Sequence, residues 1–119
     1  MSYTIEHFPV LIDNNSNQAL YLLAHDSEGT TVGLARVETD EANSLWIGSL
    51  FVQPLLRNQG IGTQLLQAVT AHAVETGRKF IWLAVHEDNF WAQHLYQKEG
   101  YSLFTSSEQP EYMKWIKAL

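Results

Sequence analysis

The segment Leu56–Thr63 holds residue types that bind anions. Within it, Arg57, Gly60 and Gly62 are spaced as R-x-x-G-x-G. An apolar run typical of a strand precedes the segment, and an amphipathic run typical of a helix follows it. The first backbone N–H groups of a helix lack partners and point the same way, so they can bind phosphate. Because glycine has no Cβ, a bulky ligand can approach this backbone. The segment therefore predicts a diphosphate site.

Other interpretations of the two glycines stay open. Gly60 and Gly62 also suit a tight strand-to-helix turn that binds nothing. The spacing is not G-x-G-x-x-G, which is typical of dinucleotide binding, and it lacks the Gly-Lys-Ser/Thr of a Walker A loop. A different nucleotide-phosphate site at the same helix terminus remains an alternative, although no acidic ribose-binding residue follows the next predicted strand.

The pattern R-x-x-G-x-G resembles the acetyl-CoA-binding signature of the GNAT-type N-acetyltransferases, usually written Q/R-x-x-G-x-G/A. The resemblance covers about residues 20–119 and extends to the family's segment N-x-x-A-x-x-x-Y-x-x-x-G-F/Y. The residues that match this second segment are Asn89, Ala92, Leu95, Tyr96, Gly100 and Tyr101. The resemblance implies an α/β fold with a mixed central sheet flanked by helices. The implied sheet has antiparallel N-terminal strands, a central parallel βαβ pair that splays apart, and antiparallel C-terminal strands.

The resemblance also implies a site for acetyl-CoA as co-substrate. The pantetheine arm would lie between the two splayed strands, Leu45–Val52 and Phe80–Val85, and bond to backbone groups as an added strand does. The implied cofactor-binding residues are Leu50, Phe51, Val52, Arg57, Asn58, Gln59, Gly60, Ile61, Gly62, Thr63, Asn89, Ala92 and Tyr96.

Tyr96 is the expected general acid for the departing thiolate, because a phenol donates a proton without an altered charge state. It is also compatible with simple packing of a helix on the sheet. The general base is less defined, since Leu45–Val52 contains no acidic residue. His86 and Glu87, in the loop expected beside the splay, are the candidates; alternatively, the amine arrives neutral and no base exists.

Composition narrows the classes of function. A chain of 119 residues with 45% hydrophobic content predicts a single domain spanning 1–119. The absence of cysteine excludes thiol nucleophiles and cysteine-based zinc sites, and the histidines lack metal-ligand spacing, so no metal is expected. A formal net charge of −6 argues against nucleic-acid binding and suits a cationic acceptor. Without an apolar membrane span or a signal peptide, we expect a cytoplasmic protein.

The remaining elements follow from periodicity and turn residues. The pattern predicts a hairpin of strands 20–25 and 31–37, a helix over 61–75, a second helix over 90–98 capped by Asn89, and strands over 101–104 and 112–116. Phe8–Ile12 is expected to be a short edge strand because of Pro9, and polar turns are expected at 13–17 and 40–43.

Residues 1–19 are too few for the strand and two helices with which the family usually opens. Those helices wall part of the acceptor site, so the acceptor pocket is expected to be open or closed by a second subunit. An exposed final strand would also favour a homodimer. The expected function is acetyl transfer to a primary amine of a small molecule, peptide N-terminus or lysine, by direct attack in a ternary complex. The alternative is a non-catalytic acyl-CoA-binding or regulatory module.

Overall fold

The computed structural model describes residues 3–11, 18–39, 43–104 and 111–119. The elements are β1 (Thr4–Leu11), β2 (Gln18–His25), β3 (Thr31–Thr39), β4 (Ser44–Val52), a single 3₁₀ turn (Pro54–Leu56), α1 (Ile61–Glu75), β5 (Phe80–His86), α2 (Phe90–Lys98), β6 (Ser102–Phe104) and β7 (Tyr112–Ala118). The strands form one mixed sheet in the order β1-β2-β3-β4-β5-β7-β6. The predicted mixed α/β fold is confirmed.

The predicted hairpin, β4–α1–β5 unit and α2 all form where sequence periodicity placed them, within one or two residues at each end. The first strand is longer than predicted: β1 begins at Thr4, pairs antiparallel with β2 and lies at one edge of the sheet. This position at the edge of the sheet agrees with Pro9, because proline has no backbone N–H to donate to a neighbouring strand. Ile12, the turn at 13–17 and most of the turn at 40–43 lie outside the described residues.

Strands β4 and β5 separate along their length. Their parallel pairing runs from Ser44 opposite Phe80 to Ile47 opposite Leu83 and then stops, although both strands continue. The register between β3 and β4 shifts at the same point, so that Gly48 has no opposite residue on β3. Such a bulge bends the strand that carries the extra residue. The bulge at Gly48 therefore coincides with the predicted splay.

Both helices share one hydrophobic core with one face of the sheet. The core residues of α1 and α2 are Ile61, Leu65, Leu66, Val69, Ala73, Ala92, Leu95 and Tyr96. On β5 the alternate residues Ile81, Leu83 and Val85 belong to the same cluster. Because side chains alternate along a strand, Trp82 and Ala84 face away from the helices. We call that opposite side of the sheet the helix-free face.

No α-helix precedes α1 within the described residues, and both α1 and α2 pack into the core on the opposite side of the sheet, so neither covers the helix-free face. The chain's last strand, however, is not exposed at an edge. Strand β7 lies between β5 and β6, and pairs with β5 over all of its seven residues. The expectation of an exposed final strand is therefore wrong, because the edge position belongs to the three-residue β6.

Candidate active site

The turn between β4 and α1 leaves a row of backbone amides without partners. Gly60 is the N-cap of α1 with φ 88°, and no side chain caps the helix. The first helical bond is donated by the Gln64 amide to the Gly60 carbonyl at 3.0 Å. Among the described residues, the amides of 58–63 donate no hydrogen bond. This is the arrangement in which a helix N-terminus binds phosphate.

Glycine suits positions 60 and 62 for different structural reasons. Gly60 is exposed, and a Cβ there would meet nothing within 4 Å, so the space beside its backbone is open. Gly62 is buried, and a Cβ there would lie 2.7 Å from a methyl carbon of Leu95. Gly62 therefore allows α1 and α2 to pack closely, whereas Gly60 provides the left-handed backbone and the open approach.

Arg57 is held in place beside these amides. Its Nε donates to the Val52 carbonyl at 3.1 Å, and its guanidinium carbon lies 4.4 Å from the ring centroid of Trp91. Arginine stacks on aromatic faces in this way while its remaining N–H groups can still bind an anion. The Val52 carbonyl is consequently engaged by Arg57, although Val52 was predicted to offer its backbone to a ligand.

A cleft of about 210 Å³ lies against this turn, and its lining residues are Val52, Arg57, Asn58, Gly60, Gly62, Thr63, Trp91, His94, Leu95 and Lys98. Two cations and no carboxylate line it, in a chain whose net charge is −6. Six of the predicted cofactor-binding residues are among the lining residues. The predicted cofactor-binding residues that do not line the cleft are Leu50, Phe51, Gln59, Ile61, Asn89, Ala92 and Tyr96. The cleft is thus a locally cationic site.

Sequence reasoning missed four residues of the cleft, Trp91, His94, Leu95 and Lys98, as ligand-binding candidates. Their spacing of three, one and three positions puts them on one face of α2. The family pattern draws attention instead to Ala92 and Tyr96, which lie on the buried face of the same helix. A search for polar and aromatic residues at helical spacing in α2 would have found the missing face.

Asn89 caps α2, as predicted, since its Oδ1 accepts from the Ala92 amide at 3.2 Å. Tyr96 is buried, and its ring lies 5.4 Å from the ring of Tyr101 at an interplanar angle of 60°. Burial raises the pKa of Tyr96 above its ordinary value of 10.0. The phenol is therefore protonated at neutral pH, which is the state that a proton donor needs.

The strand edge predicted to bind pantetheine is available beyond the splay. Leu50 and Phe51 pair with Ala35 and Leu34 of β3, but from Gly48 onward β4 has no partner on its β5 side. Unpaired backbone groups at a strand edge can bond to an extended ligand, as in strand addition. The geometry suits an extended arm that runs from the cationic cleft into the gap between β4 and β5.

His86 and Glu87 lie at the end of β5, where the gap is open. His86 is the last residue of the strand rather than a loop residue, and its Nδ1 accepts from the Asp88 amide at 3.1 Å. A neutral imidazole has one acceptor nitrogen, so this bond uses the lone pair that a base would need. Glu87 is exposed, and its own amide and carbonyl bond to Glu111 and Gln93.

The described ranges contain no group of three or more histidine or acidic side chains placed to hold a metal ion. Neither helix in the described part of the chain is long and apolar enough to cross a membrane.

Two relatives found by sequence are named as N-acetyltransferases. A spermine/spermidine N(1)-acetyltransferase of Bacillus subtilis is 33% identical over an alignment of 82 residues, with coverage of 62% of this chain and 54% of that protein. An uncharacterized N-acetyltransferase of Mycobacterium bovis is 25% identical over an alignment of 108 residues, with coverage of 82% of this chain and 69% of that protein. The chain thus spans about half the length of the Bacillus relative that it matches.

Solved structures share the fold. A Klebsiella pneumoniae structure superimposes with a TM-score of 0.87 at 19% identity, covering 98% of this chain and 97% of that one. The PaiA N-acetyltransferase of Thermoplasma acidophilum, solved in complex with coenzyme A, gives 0.78 at 22% identity, covering 85% and 61%. The model of the acetyltransferase (GNAT) family matches residues 1–101. The chain therefore belongs to the acetyltransferase (GNAT) family.

Proposed function

We propose that this protein transfers an acetyl group from acetyl-CoA to a primary amine by direct attack in a ternary complex. The observation that carries the proposal is the row of unpartnered amides at 58–63, with Arg57 fixed beside it and the splay of β4 and β5 adjoining it. Amides at a helix start and a guanidinium are the groups that bind diphosphate. Acyl-CoA binding and acyl transfer are the chemistry of the family to which the chain belongs.

In this proposal the cleft binds the diphosphate end of acetyl-CoA. The amides of Gly60 to Thr63 and the Arg57 guanidinium bind the phosphate oxygens, and Lys98 adds a second cation across the cleft. The extended arm then bonds to the open edge of β4 at Leu50 and Phe51. Anchoring the distant end of the substrate in this way holds the thioester in one orientation, which lowers the entropic cost of the reaction.

The amine nitrogen attacks the thioester carbonyl carbon, the carbon–sulfur bond breaks, and the thiolate leaves with the bonding pair. Tyr96 is the proposed proton donor to that sulfur, because burial keeps its phenol protonated, and the resulting phenolate regains a proton from solvent. The amine loses a proton to solvent; Glu87 is the proposed relay, since the Nδ1 lone pair of His86 already accepts from the Asp88 amide. Products are an N-acetyl amine and the free thiol of coenzyme A.

A turnover assay on purified protein tests the proposal. With acetyl-CoA and a panel of primary amines, the free thiol should accumulate only when both substrates are present. The panel includes polyamines, because a Bacillus relative is named for spermine and spermidine, as well as amino acids and peptides. Tyr96→Phe should lower kcat by about 10²-fold, the usual contribution of a general acid, without weakening acetyl-CoA binding.

The pH profile provides a second readout. Because the pKa of Tyr96 is raised, Tyr96 should keep its proton up to about pH 10. Its ionisation should therefore cause no decrease in the wild-type rate at any pH lower than this. Binding of acetyl-CoA with no turnover of any amine would instead identify a non-catalytic acyl-CoA-binding module. An unchanged kcat in Tyr96→Phe would remove the tyrosine from the mechanism.

A further inference from the structure

Where β4 and β5 separate, the helix-free face has a floor of two small residues. Gly48 and Ala84 are the first positions beyond the last strand pair, Ile47 opposite Leu83. Both are exposed, although they lie on two of the most central strands of the sheet. An acetyl group carried into the gap from the helix side would emerge beside this floor, so an attacking amine has to approach it from the helix-free face.

One side of the floor is an aromatic wall formed by Trp46, Trp82 and Phe104. The rings of Trp46 and Trp82 are nearly parallel, with centroids 6.0 Å apart, and the Phe104 ring meets Trp82 edge-on at 5.1 Å. Trp46 and Trp82 are only half-buried, and Phe104 is exposed. Trp82 is two residues from Ala84 on the same face of β5, about 7 Å along the strand.

Cationic side chains lie over the same floor. Lys114 is opposite Ala84 in the sheet, and its Nζ reaches to 5.9 Å from the Trp46 ring centroid, so its side chain extends across β5. No carboxylate pairs with Lys114 in the described residues. Arg36 Nη1 lies 3.2 Å from where a Cβ of Gly48 would be, but Arg36 is paired with Glu38 at 2.5 Å. Lys114 is therefore the cation left for an anionic ligand.

We propose that the acceptor is an aromatic α-amino acid bound on this face, an inference that rests on the acetyl-transfer function proposed above. Its side chain lies on the wall of Trp46, Trp82 and Phe104, its carboxylate pairs with Lys114, and its amine lies over the floor. These three contacts match the three groups that such a molecule carries on one carbon atom. The amine nitrogen gains the acetyl carbon, loses one proton, and leaves an N-acetyl amino acid.

A polyamine fits this face poorly. Each additional ammonium group would approach Lys114 and Arg36, and the carboxylate of Glu38 on β3 already pairs with Arg36. The aromatic wall has an apolar surface that a polyamine chain covers less completely than a planar ring does, and aromatic pairs gain stability beyond the area they bury. Like-charge contacts disfavour the wrong ligand as effectively as good contacts favour the right one.

The test compares kcat/KM of the wild type for phenylalanine, phenethylamine, glycine and spermidine. The kcat/KM for phenylalanine should exceed that for each of the other three amines by about tenfold, which corresponds to ~1.4 kcal/mol. Phenethylamine lacks the carboxylate contact, glycine lacks the aromatic contact, and spermidine adds charge repulsion. Trp82→Leu should lower the value for phenylalanine about tenfold and change that for glycine less than twofold. Lys114→Met should lower the value for phenylalanine about tenfold and leave that for phenethylamine unchanged.

Two controls separate the possible failures. Val74→Ala, an exposed change on α1, should keep the wild-type preference. The change in tryptophan fluorescence that phenylalanine causes in the presence of coenzyme A should be smaller in Trp82→Leu, and Lys114→Met alone decides the question if that variant does not fold. Turnover in which spermidine is preferred, or in which neither variant alters the preference, overturns this inference but leaves acetyl transfer standing. No turnover of any amine overturns both. A dimer that Trp82→Leu dissociates without altering amine preference would assign the wall to a second copy instead.

Discussion

Gly60 is the residue at which backbone conformation and ligand binding can be tested together. Its φ of 88° is in the left-handed region, and the space beside it is open. Aspartate and asparagine adopt this region more readily than other L residues, at a similar cost of roughly 1–2 kcal/mol. The two substitutions therefore disturb the fold equally and differ in one negative charge beside the proposed diphosphate site.

Gly60→Asp should weaken acetyl-CoA binding by about 100-fold or more, whereas Gly60→Asn should weaken it only a few-fold. Two like charges about 4 Å apart repel by ~4 kcal/mol at an effective dielectric constant of about 20. Calorimetric titration of both variants measures the difference. Equal affinities in the two variants would show that no anion lies beside Gly60, and the diphosphate assignment would fail.

Local sequence predicts the type of residue at position 57 but not the contacts that hold it. The pattern around Arg57 predicted a positive charge beside the amides, and the charge is there. It could not predict that Trp91 and the Val52 carbonyl hold the guanidinium, because Trp91 lies 34 residues further along the chain and Val52 lies on the preceding strand. The types of the binding residues follow from local sequence, whereas the contacts that fix them depend on tertiary packing.

At the scale of elements, the contact between α1 and α2 depends on Gly62. A methyl group at this position would lie 2.7 Å from a terminal carbon of Leu95, so the Leu95 side chain or its helix would have to shift. Overpacking of this kind typically costs about 1–3 kcal/mol. Gly62→Ala should therefore lower the free energy of unfolding by about that amount in chemical denaturation.

The double variant Gly62→Ala/Leu95→Ala decides between packing and ligand approach as the reason for this glycine. If packing is the reason, the two changes should couple: the double variant should lose less stability than the sum of the single changes, because the new methyl group occupies space that Leu95 leaves. Additive losses would show that Gly62 is not selected by its contact with α2.

The contact between β1 and α1 should make stability depend on pH. The rings of His7 and His72 are 6.3 Å apart, and burial, followed by the charge of His7, lowers the pKa of His72 below its ordinary 6.5; Arg78 lowers it further and Glu75 opposes the shift. Well above pH 6.5 the ring is neutral in both the folded and the unfolded chain and contributes no pH dependence. As the pH falls through 6.5, the unfolded chain binds a proton that the folded chain resists, so the free energy of unfolding decreases.

His72→Gln should flatten this decline between about pH 6.5 and 5, as measured by urea denaturation at a series of pH values. Val74→Ala, an exposed and uncharged change on the same helix, is the control and should keep the wild-type slope. A slope that is the same in His72→Gln and the wild type would assign the acid sensitivity to another group.

Element boundaries were predictable wherever periodicity and turn residues agree. The run from 61 to 75 has apolar residues at helical spacing and a glycine at its end, and the observed helix has the same limits. The position of β7 between β5 and β6 was not predictable, because strand order is set by pairing between distant segments and leaves no local signal. The same reason explains why β1 was predicted too short: its pairing with β2, rather than its own apolar pattern, extends it to Thr4.

At the scale of the whole molecule, the two sides of the sheet have separate tasks in the proposed reaction. The helix side holds the core and the cationic cleft, and the helix-free face holds the aromatic wall beside the gap. The gap between β4 and β5 connects them. A short chain can in this way bind two substrates from opposite directions, since neither described helix covers the second side.

Because the cleft is formed by residues from β4, the turn, α1 and α2, a ligand that occupies it should stabilise the whole fold. At 100 times its Kd, acetyl-CoA should add ~2.7 kcal/mol to the free energy of unfolding, which corresponds to a rise in Tm of about 10 °C for a domain of this size. S-acetylpantetheine lacks the diphosphate and should produce a much smaller rise at the same concentration. In Gly60→Asp the rise with acetyl-CoA should disappear. If ATP or NAD raised the Tm more than acetyl-CoA does, the cleft would be a nucleotide site, because the phosphates would then bind without any contribution from the thioester arm between β4 and β5.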